Sequence, residues 1–200
     1  MLEALTGLGL ASAAGLNAYI PMLAMGLLSR FTDLLAVPPG WAWLENEWVM
    51  VILGVLLVID MVADKIPAVD SINDIVQTVV RPASGGIVFG SGSASETVAV
   101  TDPESFVSSG QWVPIVTGVV IALLVHLAKA AIRPIANAAT FGLAAPVLST
   151  IEDGASIMLV ILAIVVPVLV VLAIVALVWL TVVYVRRRRR RAAAMSPRPA

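Results

Sequence analysis

Residues 155–185 read ASIMLVILAIVVPVLVVLAIVALVWLTVVYV, an apolar run without a charged side chain. A helix needs about 20 apolar residues to cross a bilayer, so this run predicts a transmembrane helix longer than one crossing requires. Such a helix is expected to tilt or to bend at Pro167. Six consecutive arginines, Arg186–Arg191, follow the run directly. Because basic residues beside a span favour the cytoplasmic side, we expect residues 186–200 to form a basic cytoplasmic tail.

The composition extends this prediction to the whole chain. Of its 200 residues, 60% are hydrophobic and only 12% are charged, and the mean hydropathy is +1.02. A soluble domain is about half apolar and about a quarter charged. We therefore predict an all-α fold, a polytopic bundle of membrane helices over residues 1–185. About four long spans are expected, at residues 3–29, 48–65, 112–133 and 155–185.

Two shorter segments follow prolines, the first of them too polar for an ordinary span. Pro67 precedes residues 70–89, and Pro134 precedes residues 135–150. Because proline ends or bends a helix, we expect two short helices there, which either cross the membrane or re-enter it. Residues 90–110 are rich in glycine and serine and are expected to form a flexible loop.

A common offset suggests an internal repeat, in which each copy is a span, a proline break and a short helix. Transporters build binding sites near the middle of the membrane from such paired broken helices. Asn17 and Pro21 predict a further bend or open backbone within the first span. The repeat aligns Leu56-Leu57-Val58 with Leu123-Leu124-Val125, Ala63 with Ala130, Pro67 with Pro134, and Asp70 with Asn137.

The topology has two alternatives. If the short helices re-enter the membrane, the two copies are inverted; if they cross it, the copies run parallel. The crossing arrangement places Lys65, Lys129 and Arg133 on the cytoplasmic side, as the positive-inside rule favours. Both alternatives place both termini in the cytoplasm.

Ionisable side chains lie within the predicted spans and at their ends. His126, Lys129 and Arg133 are three and four residues apart, so they share one helix face. Asp60 and Asp64 are also four residues apart. Ionisable residues in a membrane are costly and face a partner or a water-filled cavity. They indicate either a polar pathway or ion pairs between helices that serve only the structure.

We expect a substrate or ion pathway between the two broken-helix units. In it, Lys129 and Arg133 would hold an anionic group, while Asp64, Asp70 and Glu152 would balance charge or couple protons. The candidate pathway residues are Asn17, Asp64, Lys65, Asp70, Asp74, Arg81, His126, Lys129, Arg133, Asn137 and Glu152.

No motif indicates an enzyme, a cofactor or a metal site. The chain has no cysteine and one histidine, and it lacks a Walker loop, a nucleophile elbow and an H-E-x-x-H sequence. The partners expected are the lipid bilayer and, at the arginine tail, anionic lipid headgroups. Small residues on the helices would permit a homo-oligomer. No folded basic surface indicates nucleic acid.

Several motifs spread over most of the chain resemble those of a known family, the bacterial integral membrane proteins classed as domain of unknown function (DUF) 4126. The resemblance implies a shared membrane fold in the bacterial cytoplasmic (inner) membrane, and it implies no particular activity. The motifs are Gly15-Leu16-Asn17-Ala18-Tyr19-Ile20-Pro21, Asp64-Lys65-Ile66-Pro67 with Asp70-Ser71, Arg81-Pro82 with Gly85, His126-x2-Lys129-x3-Arg133-Pro134-x2-Asn137, and Pro146-x2-Ser149-x2-Glu152-Asp153.

The functional expectation is a membrane transport protein, whether a transporter, a channel or a lipid-headgroup translocase. The alternative is a non-catalytic membrane protein that assembles with or binds a partner. Water access to the polar residues separates the two, because a transport pathway is wet at some stage and an ion-paired structural core stays dry.

Overall fold

A computed structural model describes residues 2–93, 110, 112–141, 143–167, 169, 172, 175–180, 182–184, 186 and 187. Within these residues the chain is helical and contains no strand, which confirms the all-α prediction. The helices are α1 (Leu2–Leu16), α2 (Tyr19–Phe31), a 3-10 helix (Pro39–Glu45), α3 (Glu47–Ala63), α4 (Pro67–Gly92), α5 (Trp112–Thr140) and α6 (Ala144–Val165).

Helix α1 lies at the centre of the bundle, packed against α4, α5 and α6. All but one of its residues from Thr6 to Leu16 are buried. A helix that is apolar on every side belongs in such a position. It runs antiparallel to α6, since the Thr6 hydroxyl donates to the Ala163 carbonyl at 2.9 Å and the Ser156 hydroxyl donates to the Ala13 carbonyl at 3.1 Å.

Helices α4 and α5 form the most extensive helix pair of the bundle. They are antiparallel and cross closely at two glycines: a β-carbon on Gly118 would lie 2.2 Å from the Gly85 carbonyl oxygen, and one on Gly85 would lie 2.6 Å from the Gly118 oxygen. Only glycine fits at such a contact. Small residues that let backbones touch are typical of helices packed within a membrane.

The outer surface of the bundle is apolar. On α3, side chains such as Val51, Val58 and Val62 are exposed. Within the described residues, α5 and α6 are long and apolar enough to cross a membrane, and a third span results if the 3-10 helix and α3, which meet at 63°, are counted together. These features fit a membrane protein, but about four long spans are not confirmed.

The segment predicted as one span at residues 3–29 is two helices. Helix α1 ends at Leu16 and α2 begins at Tyr19, so the expected interruption at Asn17 is confirmed. Likewise, α6 ends at Val165, just before Pro167. The helix predicted over residues 155–185 is therefore interrupted there. A shorter apolar helix, Val175–Tyr184, follows and is described only in part.

The predicted helix at 70–89 is confirmed but is not short, and the predicted short helix at 135–150 is wrong. The first is part of a 26-residue helix that continues through Pro82. Residues 135–140 complete α5, which continues through Pro134, and α6 begins at Ala144 after a turn in which Phe141 has a φ of 53°.

The predicted loop and the repeat also differ from the structure. Residues 90–92 belong to α4, residue 110 lies in a turn, and residues 94–109 lie outside the described part. Since Pro67 begins a helix while Pro134 lies inside one, the two predicted copies have different structures and the repeat is not confirmed.

Candidate functional site

Polar side chains gather inside the bundle where α1 ends. They come from the α1–α2 break and from α3, α4, α5 and α6, and all but two are at most 5% exposed; Asn73 and Glu152 are partly exposed. We call this set the charge cluster. It consists of Asn17, Asp60, Asp64, Asp70, Asn73, Gln77, Arg81, His126, Lys129, Arg133, Glu152 and Asp153.

Asn17 organises the break between α1 and α2. Its amide oxygen accepts from the backbone N–H of Tyr19 at 3.0 Å and of Ile20 at 3.3 Å, so it satisfies two donors that a helix start leaves free. This orientation turns the amide nitrogen towards two carboxylates: it donates to Asp153 at 2.9 Å and to Asp60 at 3.3 Å. One side chain thus caps α2 and bridges α3 to α6.

The break also exposes backbone carbonyls, which neighbouring helices satisfy. Lys129 donates to the Leu16 carbonyl at 3.3 Å, and the Ser84 hydroxyl donates to the Ala18 carbonyl at 2.6 Å. A cation at the C-terminal end of α1 meets the negative end of the helix dipole. In lipid an unsatisfied carbonyl costs several kcal/mol, so these contacts make the break tolerable.

Two basic residues of α5 are surrounded by carboxylates. Arg133 forms ion pairs with Asp64 at 3.0 Å and, in closer contacts, with Asp70 and Glu152. Lys129 lies 3.1 Å from Asp64 and 3.0 Å from Glu152. Both basic side chains are therefore already occupied by carboxylates of the protein itself.

Arg81 and His126 form a second arm of the cluster. The Arg81 side chain is fully buried, 3.5 Å from Asp64 and 3.9 Å from Asp60, and its Nη1 lies 3.3 Å from the His126 Nδ1. Guanidinium can only donate, so Nδ1 accepts and the imidazole proton resides on Nε2. That nitrogen lies 3.0 Å from the Thr78 hydroxyl, which itself donates to the Asp74 carbonyl at 2.7 Å.

Asp60 is held by amides in addition to Asn17. It accepts from Asn73 at 2.7 Å and from Gln77 at 2.8 Å. These two residues, together with Asp60 and Asp153, were absent from the list of predicted pathway residues. Asn73, Gln77 and Arg81 recur every four residues, and that spacing could have identified one polar face of α4.

Most predicted pathway residues meet in the cluster, and three lie outside its bonded core. Lys65 is partly exposed, follows α3, and donates to the Met61 carbonyl in the last turn of that helix at 2.9 Å. Asp74 and Asn137 are also partly exposed, each with a buried oxygen that lacks a hydrogen-bond partner in the described structure. Across the described residues, no group of three or more histidine or acidic side chains could hold a metal ion.

Comparison with known proteins identifies the family alone. The family model described as domain of unknown function (DUF4126) matches residues 4–187, and the chain therefore belongs to this family. No curated protein and no solved structure matches the chain.

Proposed function

We propose that this member of the DUF4126 family is a membrane transport protein whose translocation site is the charge cluster. The observation that supports this most is the burial of three basic and several acidic side chains around a broken central helix, inside a bundle with an apolar exterior. Broken helices with ionisable side chains form the binding sites of many secondary transporters. Residues of this kind within a membrane mark substrate or ion pathways by default.

The position of the cluster fits a site at membrane depth. His126 lies 14 residues from each end of α5 (126 − 112 and 140 − 126), which is about 21 Å at 1.5 Å per residue. Arg81 contacts the His126 ring at 3.3 Å, and Asp60 lies between Arg81 and Asn17, at 3.9 and 3.3 Å. Arg81 and the Asn17 break therefore lie at the same depth in the bundle as His126. From there the cluster extends to Asp70 and Arg133, towards one end of the bundle.

The ion pairs alter the expected cargo. Lys129 and Arg133 were expected to hold an anionic group, but Asp64, Asp70 and Glu152 occupy them. An anion would have to displace these carboxylates. We therefore propose that the transported or coupling species carries positive charge. The paired arrangement also favours a transporter over an open channel or a lipid-headgroup translocase.

We further propose a multi-pass arrangement in the bacterial cytoplasmic membrane. Helices α1 and α2 form a hairpin with its tip at Asn17, because Thr6 of α1 bonds Ala163 and Met25 of α2 accepts from Ser91 at the same end of the bundle. If α3, α4, α5, α6 and the segment ending at Arg187 each cross once and the arginine tail is cytoplasmic, the N-terminus lies on the opposite side of the membrane, contrary to the expectation from sequence. Asp64, Arg133 and Glu152 then occupy the cytoplasmic half of the bundle. The arginine tail would lie against anionic lipid headgroups, and the proposal includes no enzymatic activity and no cofactor.

Water access tests the transport proposal. The chain has no cysteine, so Ser149→Cys introduces one near-isosteric thiol at a fully buried position of α6, one turn from Asp153. We expect a membrane-impermeant thiol reagent to label this position in liposomes at a rate that changes with membrane potential. Ser93→Cys, at the end of α4, is the matched control that reacts from one side at a constant rate.

The alternative is an assembly or partner-binding protein. It is supported by the mutual pairing of Lys129, Arg133 and three carboxylates, which satisfies these charges without any substrate. An ion-paired core of this kind stays dry. Absence of labelling at position 149 under all potentials, with position 93 reacting normally, would therefore favour this alternative over transport.

A further inference from the structure

The charge cluster and its surroundings contain more carboxylates than basic groups. The basic side chains are Arg81, Lys129 and Arg133. Three carboxylates pair directly with Lys129 or Arg133, namely Asp64, Asp70 and Glu152. The remaining carboxylates are Asp60, whose nearest cation is Arg81 at 3.9 Å, together with Asp74 and Asp153, which pair with no lysine or arginine in the described part of the chain.

Surplus negative charge inside a bundle is costly, because an ionised carboxylate in an apolar medium must be paired or neutralised. A bound positive species lowers this cost. Two of the surplus carboxylates, Asp60 and Asp153, are joined through the single amide nitrogen of Asn17, at 3.3 and 2.9 Å.

Unpartnered acceptors surround this pair. The Oδ2 atom of Asp153 and the Ser149 hydroxyl oxygen are buried without a hydrogen-bond partner in the described structure, one turn apart on α6. The amide oxygen of Gln77 is also unpartnered, although the nitrogen of the same amide donates to Asp60 at 2.8 Å. Gln77 and Ser149 are at most 1% exposed. Among the described residues, the Asp153 and Gln77 oxygens lack a donor or a cation, and the Ser149 hydroxyl lacks a partner of either kind.

We propose that the Asp60–Asp153 pair, bridged by Asn17, holds and exchanges one proton. The proton comes from water on one side of the membrane, neutralises one carboxylate of the pair, and leaves to water on the other side. Its exchange across the membrane rests on the proposed transport function, whereas its presence on the pair does not. A metal ion fits less well, since the described residues contain no group of acidic or histidine ligands that could hold one.

The pair is surrounded by charged and titratable groups from every helix that packs around it. Arg81 and Lys129 favour the ionised pair, and the neighbouring carboxylates favour the protonated one. These groups are Tyr19 on α2, Asp64 after α3, Asp70, Asp74 and Arg81 on α4, His126, Lys129 and Arg133 on α5, and Glu152 on α6.

Infrared spectroscopy and proton flux test the proposal on the full chain. The purified protein in lipid vesicles is examined for the carbonyl stretch of a protonated carboxylic acid at neutral pH. Proton entry is followed with a pH-sensitive dye trapped inside vesicles held at a potassium diffusion potential. Asp153→Asn and Asp60→Asn each remove one member of the pair with little change in shape. Asp33→Asn, at an exposed position between α2 and the 3-10 helix, is the control.

We expect the wild type and Asp33→Asn to show the carboxylic acid band and proton entry. We expect both to be lost in Asp153→Asn and Asp60→Asn, with entry falling to the level of empty vesicles. If the wild type shows the band but no proton entry, and the variants lack the band, the protonated pair is supported and transport is overturned. Absence of the band in the wild type overturns the proposal whether or not the variants fold. Stabilisation by sodium without the band overturns it in favour of a sodium site.

Discussion

Helices α4 and α5 each have a charged half and a close-packed half. Their antiparallel packing places the two charged halves together and the two close-packed halves together. The charged half joins residues 67–81 of α4 to residues 126–140 of α5 through contacts such as Asp70 with Arg133. The close-packed half joins residues 84–92 to residues 112–122 through glycines whose backbones nearly touch. One pair of helices thus uses two means of association along its length.

The difference shows what replaces the hydrophobic effect between helices in lipid. Lipid tails are as apolar as leucine, so helices associate through close packing and polar contacts instead. In one half, glycine lets the backbones approach closely. In the other, Arg133 of α5 pairs with Asp70 of α4. The central helix α1 ends at the boundary, where Ser84 contacts the Ala18 carbonyl and Lys129 contacts the Leu16 carbonyl.

The largest effect is expected in the charged half, from Asp64→Asn. Asp64 lies 3.0 Å from Arg133, 3.1 Å from Lys129 and 3.5 Å from Arg81. Removing one partner of a buried ion pair leaves uncompensated charge and costs about 3–5 kcal/mol. We expect a loss of that size in the free energy of unfolding, measured by denaturant titration in mild detergent.

A second variant shows whether charge balance causes this loss. Asp64→Asn combined with Lys129→Met removes one charge of each sign, so we expect the double variant to be less destabilised than the sum of the two single variants. Additive losses would mean that Asp64 acts through packing. Packing rather than charge balance would then stabilise the charged half, as it does the close-packed half.

A smaller loss is expected in the close-packed half, from Gly118→Ala. The added β-carbon would lie 2.2 Å from the Gly85 oxygen and 2.5 Å from the β-carbon of Phe89, so the two backbones must separate. Overpacking of this kind costs about 1–3 kcal/mol. The measurement is again the free energy of unfolding in detergent.

Gly54→Ala is the matched control for this substitution. Gly54 lies on α3, and a β-carbon there would have nothing within 4 Å. Alanine is favoured over glycine within a helix by about 0.5–1 kcal/mol, so this variant should be unchanged or slightly more stable. Equal losses at both glycines would contradict the assignment of the close-packed half.

At the boundary of the two halves, Ser84→Ala tests a single hydrogen bond. Its hydroxyl donates to the Ala18 carbonyl at 2.6 Å, and a typical bond contributes about 0.5–1.5 kcal/mol. We expect a loss within that range. Thr117→Ala is the control, because within the described residues the Thr117 hydroxyl bonds only the Val113 carbonyl of its own helix, at 2.7 Å. Its removal should leave the stability of the bundle unchanged.

Much of the candidate site could be predicted from the sequence because its signals are local. His126, Lys129 and Arg133 share a helix face by spacing alone, and Asn17 interrupts an apolar run at a position where the structure has its break. The pairing partners needed long-range information. Asp153 and Asn17 are 136 residues apart, and nothing in the spacing of either segment indicates that they meet.

The prolines account for the largest error in the predicted fold. Pro134 was expected to end a helix, yet it lies inside α5, and α4 likewise continues through Pro82. A proline removes one backbone hydrogen bond, but ending a helix within lipid leaves many more donors and acceptors unsatisfied. A helix surrounded by other helices therefore continues through a proline that would stop it in water.

The smallest effect is expected at an ion pair outside both halves. Arg30 pairs with Glu47, whose side chain is 71% exposed, and such pairs contribute between 0 and about 1 kcal/mol. We expect Glu47→Gln to leave the melting temperature in detergent almost unchanged at high salt, since exposed pairs are screened. The loss caused by Asp64→Asn should persist at the same salt concentration, because buried charges are screened much less. If salt reduced both losses alike, water and ions would reach Asp64 in the resting protein. The charged half would then be an open aqueous site rather than a closed, ion-paired one.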